Sequence, residues 1–185
     1  MEKEGAILYV GGDDSNHAGT SKGEIIVSTF SFLKKDSLIQ NFKNRRDYQK
    51  SFEWLKDPNR DYIYTAVTDE KYRHSSQNLI EVVPKLIEKY LFKNGLFVKQ
   101  INIYLDGRLD RGSKNLLRNY FIGKNGIEKV VVDNFIKKTK NSKGRKSKHP
   151  FCPPLVYHAD VIANYLNFTP SYLELTMSDK FVSNS

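Results

Sequence analysis

A run of apolar residues at 6–10 ends in the sequence "GGDD", and this junction constrains the fold more than any other stretch of the chain. A continuous apolar run of this length is typical of a central strand that is covered on both faces. β-branched and aromatic residues predict four further strands. These strands are predicted at residues 23–33, 61–67, 98–106 and 127–135. Because helical patterns separate most of the strands, we expect an α/β protein with a parallel or mixed sheet and helices on its faces.

Apolar residues at helical spacing predict where those helices lie. One or two helices are expected within residues 37–56, with Pro58 marking the exit. The strongest helical pattern covers residues 75–92, and Pro84 inside it is expected to kink or split that helix. Further helices are predicted at residues 114–121 and 155–166.

The length of 185 residues fits one domain with a core of its own. We expect this domain to span residues 1–166, with a helical insertion at about 35–58, a basic loop at 137–149 and a tail at 167–185. The amino-terminal residues do not have the pattern of a signal peptide, and no apolar run approaches the roughly 20 residues that span a bilayer. A lone cysteine, Cys152, excludes an internal disulfide and suits a reducing compartment, so we expect a cytoplasmic protein.

The formal net charge of +9 is concentrated in one segment, "KKTKNSKGRKSK", at residues 137–148. Without this run, the remaining positive and negative charges nearly balance. A basic run attracts polyanions because it releases the counterions of phosphate groups, so nucleic acid is the expected partner. The alternative is a solvated loop whose charge only keeps the protein soluble. The candidate nucleic-acid-binding residues are Lys137, Lys138, Lys140, Lys143, Arg145, Lys146 and Lys148.

Four aspartates could form a catalytic centre at the carboxyl ends of the strands, where open α/β sheets bind their ligands. Asp13 and Asp14 end the first strand, Asp106 ends the fourth, and Asp160 lies among apolar residues of the last helix. Clustered carboxylates need a cation, and Mg²⁺ and Mn²⁺ prefer oxygen ligands. Two such ions, about 3.5 to 4 Å apart, can activate a water and stabilise the leaving oxygen in phosphodiester hydrolysis. The alternative for Asp160 is a structural ion pair with a lysine or a local backbone cap.

Asp13 and Asp14 present a difficulty, because neighbouring residues of a regular strand point to opposite faces. Gly11 and Gly12 could allow a twist or a bulge that turns both acids to one side. Of the two, Asp13 is the stronger candidate.

Three short motifs resemble the ribonuclease H-like superfamily. "YVGGDDSNHAG" is similar to the Asp-Glu opening of type II ribonucleases H, and "IYLDG" to the Asp-Gly at the end of their fourth strand. "HADVIANYL" resembles the Ala-Asp-Leu-Ile-Ala helix of an uncharacterised ribonuclease H-like family whose members open with Asp-Glu-Ser-Gly. The resemblance implies an α/β fold with a mixed five-stranded sheet flanked by helices, two divalent ions, and cleavage of RNA or DNA.

Carried over to this chain, the resemblance implies that Asp13, Asp106 and Asp160 are metal ligands and that Asp14 is a fourth acid. Type I enzymes take an acid from the first long helix, which makes Glu81 a rival to Asp14. His149 corresponds to a loop histidine that helps protons or product to leave in some ribonucleases H, although an ordinary exposed loop residue is the commoner case. His158 is expected to be structural. "SNHAGTS" replaces the Gly-Arg-Gly with which type II enzymes read the 2′-hydroxyl of RNA, so the substrate stays open among RNA, RNA–DNA hybrid and structured DNA.

Two functions are therefore expected as alternatives. The first is a metal-dependent nuclease that uses the acidic centre. The second is a catalytically silent nucleic-acid-binding protein on the same fold, whose binding needs neither the acids nor a metal.

Overall fold

The computed structural model describes residues 5–15, 24–42, 47–67, 76–107, 109–135 and 151–168. Seven strands are found in these ranges: β1 (Ala6–Asp14), β2 (Glu24–Ser31), β3 (Gln40–Asn41), β4 (Arg60–Val67), β5 (Val98–Asp106), β6 (Lys129–Phe135) and β7 (Phe151–Cys152). The same ranges contain four α-helices: α1 (Tyr48–Leu55), α2 (Ser76–Lys93), α3 (Arg111–Phe121) and α4 (Pro154–Phe168). A short 3-10 helix, Lys34–Ser37, follows β2. The basic run at 137–148, His149, and the tail beyond residue 168 lie outside the described residues.

The main sheet has five strands in the order β4-β2-β1-β5-β6, so the apolar run at the start of the chain lies in the central strand. Strand β1 pairs antiparallel with β2 and parallel with β5, while β5 and β6 are also parallel. Helices cover both faces of this sheet. The predicted fold class, an α/β protein with a mixed five-stranded sheet flanked by helices, is confirmed.

The two faces of the sheet are covered by different helix pairs, which define an α2 face and an α4 face. On the α2 face, β1 contributes Leu8 and Val10 to a core shared with α2 and α3. On the α4 face, β1 contributes Tyr9 to a core shared with α1 and α4. The alternation of side chains along a strand explains this division, because successive residues point to opposite sides.

Strand β1 is longer than the apolar run alone predicts, because it continues through both glycines to Asp14. Gly11 permits α4 to approach the sheet: a Cβ atom there would lie 2.5 Å from the backbone carbon of Leu155. Gly12 faces the other side, where a Cβ atom would lie 2.5 Å from a methyl carbon of Leu105 and 3.3 Å from one of Val83. The two glycines are therefore contact points for the helices on opposite faces.

Helix α2 runs without interruption from Ser76 to Lys93, so of the two expected outcomes Pro84 does not split the helix. Pro84 removes one backbone hydrogen bond, yet the buried side chains on either side of it pack on the sheet. This packing outweighs the local preference to end the helix. Within the described ranges, no helix has the combined length and apolar character needed to cross a membrane.

The region predicted as a helical insertion contains the 3-10 helix, α1 and the short strand β3. Strand β3 pairs antiparallel with β7, which immediately precedes α4. The sequence pattern does not predict this two-stranded ribbon, because each of its strands has only two residues.

Candidate acidic site at the carboxyl end of the sheet

Asp13 and Asp106 lie side by side at the ends of two central parallel strands. In the register of β1 and β5, Gly12 is the partner of Leu105, and each aspartate is the next residue of its strand. Neighbouring strands are about 4.8 Å apart, so the two backbones bring these acids close together. The ends of the two strands therefore lie next to each other, as expected for parallel neighbours.

Both side chains belong to the α4 face. Asp13 is two and four residues from Gly11 and Tyr9, which contact α4, so it points to the same face of the sheet as they do. Asp106 is two residues from Tyr104, which packs in the same layer, and so also points to that face. Leu105, of opposite parity, belongs to the α2 face. Asp13 is 4% exposed and Asp106 is half-buried. The sheet therefore holds two carboxylates on one face, one of them almost completely buried.

A backbone amide anchors one oxygen of each carboxylate. The amide of Asp14 donates to Oδ1 of Asp13 at 2.8 Å, and the amide of Gly107 donates to Oδ1 of Asp106 at 3.0 Å. Gly107 adopts φ +107°, a backbone conformation that glycine tolerates best. The chain thus turns directly after Asp106 while holding its carboxylate in place.

Asp160 is carried to the same face by α4. The first turn of this helix lies on the centre of the sheet, where the carbonyl oxygen of Leu155 accepts a hydrogen bond of 2.9 Å from Oγ1 of Thr29. Asp160 is half-buried, and its Oδ1 accepts a hydrogen bond of 2.9 Å from Nδ2 of Asn164. The sequence analysis does not identify Asn164. The feature that could have pointed to it is its position four residues after Asp160 on an apolar helix.

The donor chemistry of these residues fits a hard cation, since every candidate ligand is an oxygen atom. A buried acceptor, Oδ1 of Asn164, lies beside Asp160 and has no hydrogen-bond partner among the residues that the structure describes. In the same ranges, no group of three or more histidines, cysteines or acids is arranged to hold a metal ion. Asp13, Asp106 and Asp160 therefore share a face without forming a closed metal cage.

Asp14 lies on the opposite face from Asp13. The register of β1 against β2 runs without a shift from Tyr9 to Asp14, so the bulge considered at the two glycines is not found in this stretch. Asp14 therefore points to the same face as Val10 and Gly12, the α2 face, and its side chain is 9% exposed. The regular pleat separates the two acids, because β1 keeps its pairing with β2 as far as Asp14 and with β5 as far as Gly12.

Glu81 is an exposed residue of α2. Leu79 and Val83 of the same helix point into the core on the α2 face. Glu81 therefore lies on the far side of a helix that covers the other face of the sheet, and the structure does not bring it to Asp13 and Asp106.

His158 lies two residues before Asp160 but faces a buried cluster rather than the acids. Its Nδ1 is 2.8 Å from Oγ of Ser51, and its ring stacks on Trp54 with 4.4 Å between the ring centroids. Burial lowers the pKa of His158 from 6.5 to about 3. The imidazole is therefore neutral at physiological pH and acts in packing.

Helix α3, which follows Asp106 in the chain, carries a row of basic residues. Arg111, Lys114 and Arg118 follow each other at spacings of three and four along α3, which places them on one flank of that helix. Nζ of Lys114 is 3.6 Å from Oδ1 of Asp133 on the edge strand β6. Helix α3 begins five residues after Asp106, so this basic flank starts at the same edge of the sheet as the acids.

Comparison with known proteins gives only a remote likeness. No protein-family model matches the chain, and no curated protein matches it. Among solved structures, the chain is similar to one from the PCNA:RNase HII complex of Archaeoglobus fulgidus, at 15% identity and a TM-score of 0.47. The match covers 96% of this chain and 83% of that one. A likeness this remote assigns neither an activity nor a partner.

Proposed function

We propose that this chain is a divalent-metal-dependent nuclease that hydrolyses phosphodiester bonds of RNA, RNA–DNA hybrid or structured DNA. The observation that carries the proposal is the pair Asp13 and Asp106, set side by side at the ends of parallel central strands and facing the helix that bears Asp160. We further propose that the chain belongs to the ribonuclease H-like superfamily, with the type II enzymes and the Asp-Glu-Ser-Gly family as its relatives. The mixed five-stranded sheet and the positions of the three acids support this.

Asp13, Asp106 and Asp160 are the residues that would hold Mg²⁺ or Mn²⁺, two ions in the mechanism that the resemblance implies. When bound, the ions supply an activated water and stabilise the leaving oxygen. Backbone amides fix one oxygen of Asp13 and one of Asp106, which helps to hold both carboxylates in place.

The chain also supplies cations that suit a polyanionic substrate. The flank of α3 formed by Arg111, Lys114 and Arg118 begins five residues after Asp106, at the same end of the sheet. The basic run at 137–148 follows β6, the strand next to Asp106 in the sheet. We propose that both segments contact phosphates on either side of the cleaved bond. Asp14, on the other face, and His149 would have accessory roles at most.

A second candidate function is a catalytically silent nucleic-acid-binding protein on the same fold. The open arrangement of the acids favours it, since no three of them are grouped to hold a metal among the described residues. In that case binding depends on the basic segments alone. It would then need no divalent metal and would survive the loss of the acids.

The deciding experiment is a cleavage assay on labelled single-stranded RNA, RNA–DNA hybrid, duplex DNA and a four-way junction, with Mg²⁺ or Mn²⁺. The test variant is Asp106→Asn. Its matched control is Glu128→Gln, which removes the same charge from an exposed residue just before β6, at the opposite end of the sheet. Binding of each substrate is measured in parallel in the presence of EDTA.

Metal-dependent cleavage that is lost in Asp106→Asn and kept in Glu128→Gln would establish the nuclease and its substrate class. Binding without cleavage, equal in the parent and in Asp106→Asn, would establish the silent binding protein instead. Cleavage that survives in Asp106→Asn would show that the acidic site is not the catalytic centre.

A further inference from the structure

Helix α4 carries an unusual polar stripe. The helix is buried on nearly every side, yet Asp160, Asn164 and Asn167 follow each other at spacings of four and three and therefore lie along one line. Asn164 is 2% exposed and Asn167 is 4% exposed. Burying a carboxamide is unfavourable unless its hydrogen bonds are made, so two such residues in a core helix need a reason.

The bonds of Asn164 all run towards Asp160. Nδ2 of Asn164 donates to the backbone oxygen of Asp160 at 2.7 Å and to the carboxylate Oδ1 of Asp160 at 2.9 Å. A carboxamide nitrogen carries two hydrogens, so both are used on this one residue. The reversed orientation of the amide would place its oxygen against two acceptor oxygens of Asp160. The network therefore determines which atom is the nitrogen.

The remaining atom of this amide shows that packing alone does not explain the residue. Oδ1 of Asn164 is buried and has no hydrogen-bond partner among the described residues. A leucine of similar volume would fill the same space without leaving a buried acceptor unsatisfied. What distinguishes asparagine here is the pair of bonds that it donates to Asp160.

We propose that Asn164 is a positioning residue for metal binding: its Nδ2 fixes the carboxylate of Asp160 in the orientation that receives a divalent cation. This inference rests on the proposed function, because it takes Asp160 as a ligand. Asn164 itself does not contact the metal. It acts through one oxygen of Asp160, as groups bonded to a metal ligand generally do when they orient that ligand and raise its affinity for the metal.

Asn167 provides a matched control within the same helix. It is the same residue type on the same stripe and is buried to the same degree. Neither its Nδ2 nor its Oδ1 makes a hydrogen bond among the described residues. A leucine at either position removes a buried carboxamide, but only at Asn164 does it remove a hydrogen bond to the carboxylate of Asp160.

The test is a titration of the full-length protein with Mn²⁺, in which free Mn²⁺ is followed by electron paramagnetic resonance so that no catalytic readout is needed. The variants are Asn164→Leu, Asn164→Ala, Asn167→Leu and Asp160→Asn. Circular dichroism and thermal unfolding without metal check that each variant is folded. The alanine variant keeps the test valid if leucine does not fit at position 164.

We expect the two Asn164 variants to raise the dissociation constant for Mn²⁺ by about 10- to 100-fold, the usual effect of losing a residue that orients a metal ligand. Asn167→Leu should leave the dissociation constant unchanged, and Asp160→Asn should abolish binding at the affected site.

An unchanged dissociation constant in folded Asn164 variants, with binding lost in Asp160→Asn, would overturn the inference and leave the metal site standing. An equal rise in Asn167→Leu would also overturn it, since the effect would then come from disturbing the helix. If the parent protein binds no Mn²⁺, the proposed metal site fails and the inference fails with it.

Discussion

The two faces of the central sheet are built in different ways. On the α2 face, apolar residues of β1 meet the apolar side of an amphipathic helix, and the polar residues of α2, Glu81 and Lys85 among them, point to solvent. On the α4 face, the covering helix is buried almost all round and brings His158, Asp160 and Asn164 towards the interior. Buried polar groups are unfavourable unless they are bonded.

Stability on the two faces also has different sources. The α2 face is held by apolar contact, for example the stacked rings of Phe30 and Tyr90 with 3.9 Å between their centroids. On the α4 face, a buried polar network also contributes to stability. In this network Asp36 accepts hydrogen bonds from Nε and Nη2 of Arg60 at 2.7 and 3.0 Å. The comparison indicates that apolar contact dominates the α2 face, whereas buried hydrogen-bonded polar groups contribute to the packing of the α4 face.

The largest expected effect concerns the ion pair on the α4 side. Replacing Asp36 by alanine leaves the nearly buried Arg60 with only its longer ion pair to Asp57, at 3.7 Å, so we expect the free energy of unfolding to fall by about 3–5 kcal/mol. Ile87→Val on the α2 face removes one methylene and should lower stability by about 0.5–1.5 kcal/mol. Urea unfolding of both variants measures the difference. Equal losses would show that the polar network contributes no more to stability than ordinary apolar packing does.

A second prediction separates the two neighbouring acids by face. Asp13→Asn should lower the rate of metal-dependent cleavage by about 100-fold or more, because a carboxylate at the reacting site is lost. Asp14→Asn, one residue later on the other face, should change that rate far less. Single-turnover rates at saturating Mn²⁺ make the comparison. Equal losses would contradict the assignment of the site to the α4 face.

The two glycines of β1 give a third comparison. In Gly11→Ala the new methyl group would meet the backbone of Leu155, so helix α4 must move and stability should fall by about 1–3 kcal/mol. In Gly12→Ala the methyl group meets the ends of Leu105 and Val83, which can rotate away, so the loss should be smaller. Denaturant midpoints of the two variants test this order, and the reverse order would show that the α2 face is the more tightly packed one.

A fourth prediction concerns the dependence of stability on pH that comes from His158. Burial holds its pKa at about 3 in the folded chain, against 6.5 for an ordinary histidine. Between these values the unfolded chain binds a proton that the folded chain does not. The free energy of unfolding should therefore fall by about 1.4 kcal/mol per pH unit as the pH drops from 6.5 towards 3, and this contribution should be constant above 6.5.

The variant His158→Asn isolates this contribution. It loses the stacking on Trp54 and so is less stable at pH 7, but its stability should depend less steeply on pH between 6.5 and 3 than that of the parent. Carboxylates titrate in both proteins and cancel in the difference. Parallel curves for the two proteins would show that His158 is not held neutral by burial.

Local pattern was enough to predict most elements of the fold. Strand β5 occupies the predicted residues, 98–106, because its apolar and polar residues alternate clearly and "LDG" ends it. The helix at 76–93 and the last helix lie within two residues of their predicted bounds. Packing overrides local preference at two places: Pro84 does not interrupt α2, and β1 continues through two glycines that local propensity disfavours, to end at the two acids as predicted.

The candidate residues of the site can be recognised from the order of amino acids: two strand ends carry acids, and one acid lies in an apolar helix. Their division between the two faces of the sheet depends on the folded chain, because the face of a strand residue depends on whether the strand stays regular. Pairing on both sides keeps β1 regular, so Asp13 shares a face with Asp106 and α4, and Asp14 does not. The role inferred for Asn164 likewise depends on hydrogen-bond geometry, since spacing alone does not show which residue its amide bonds.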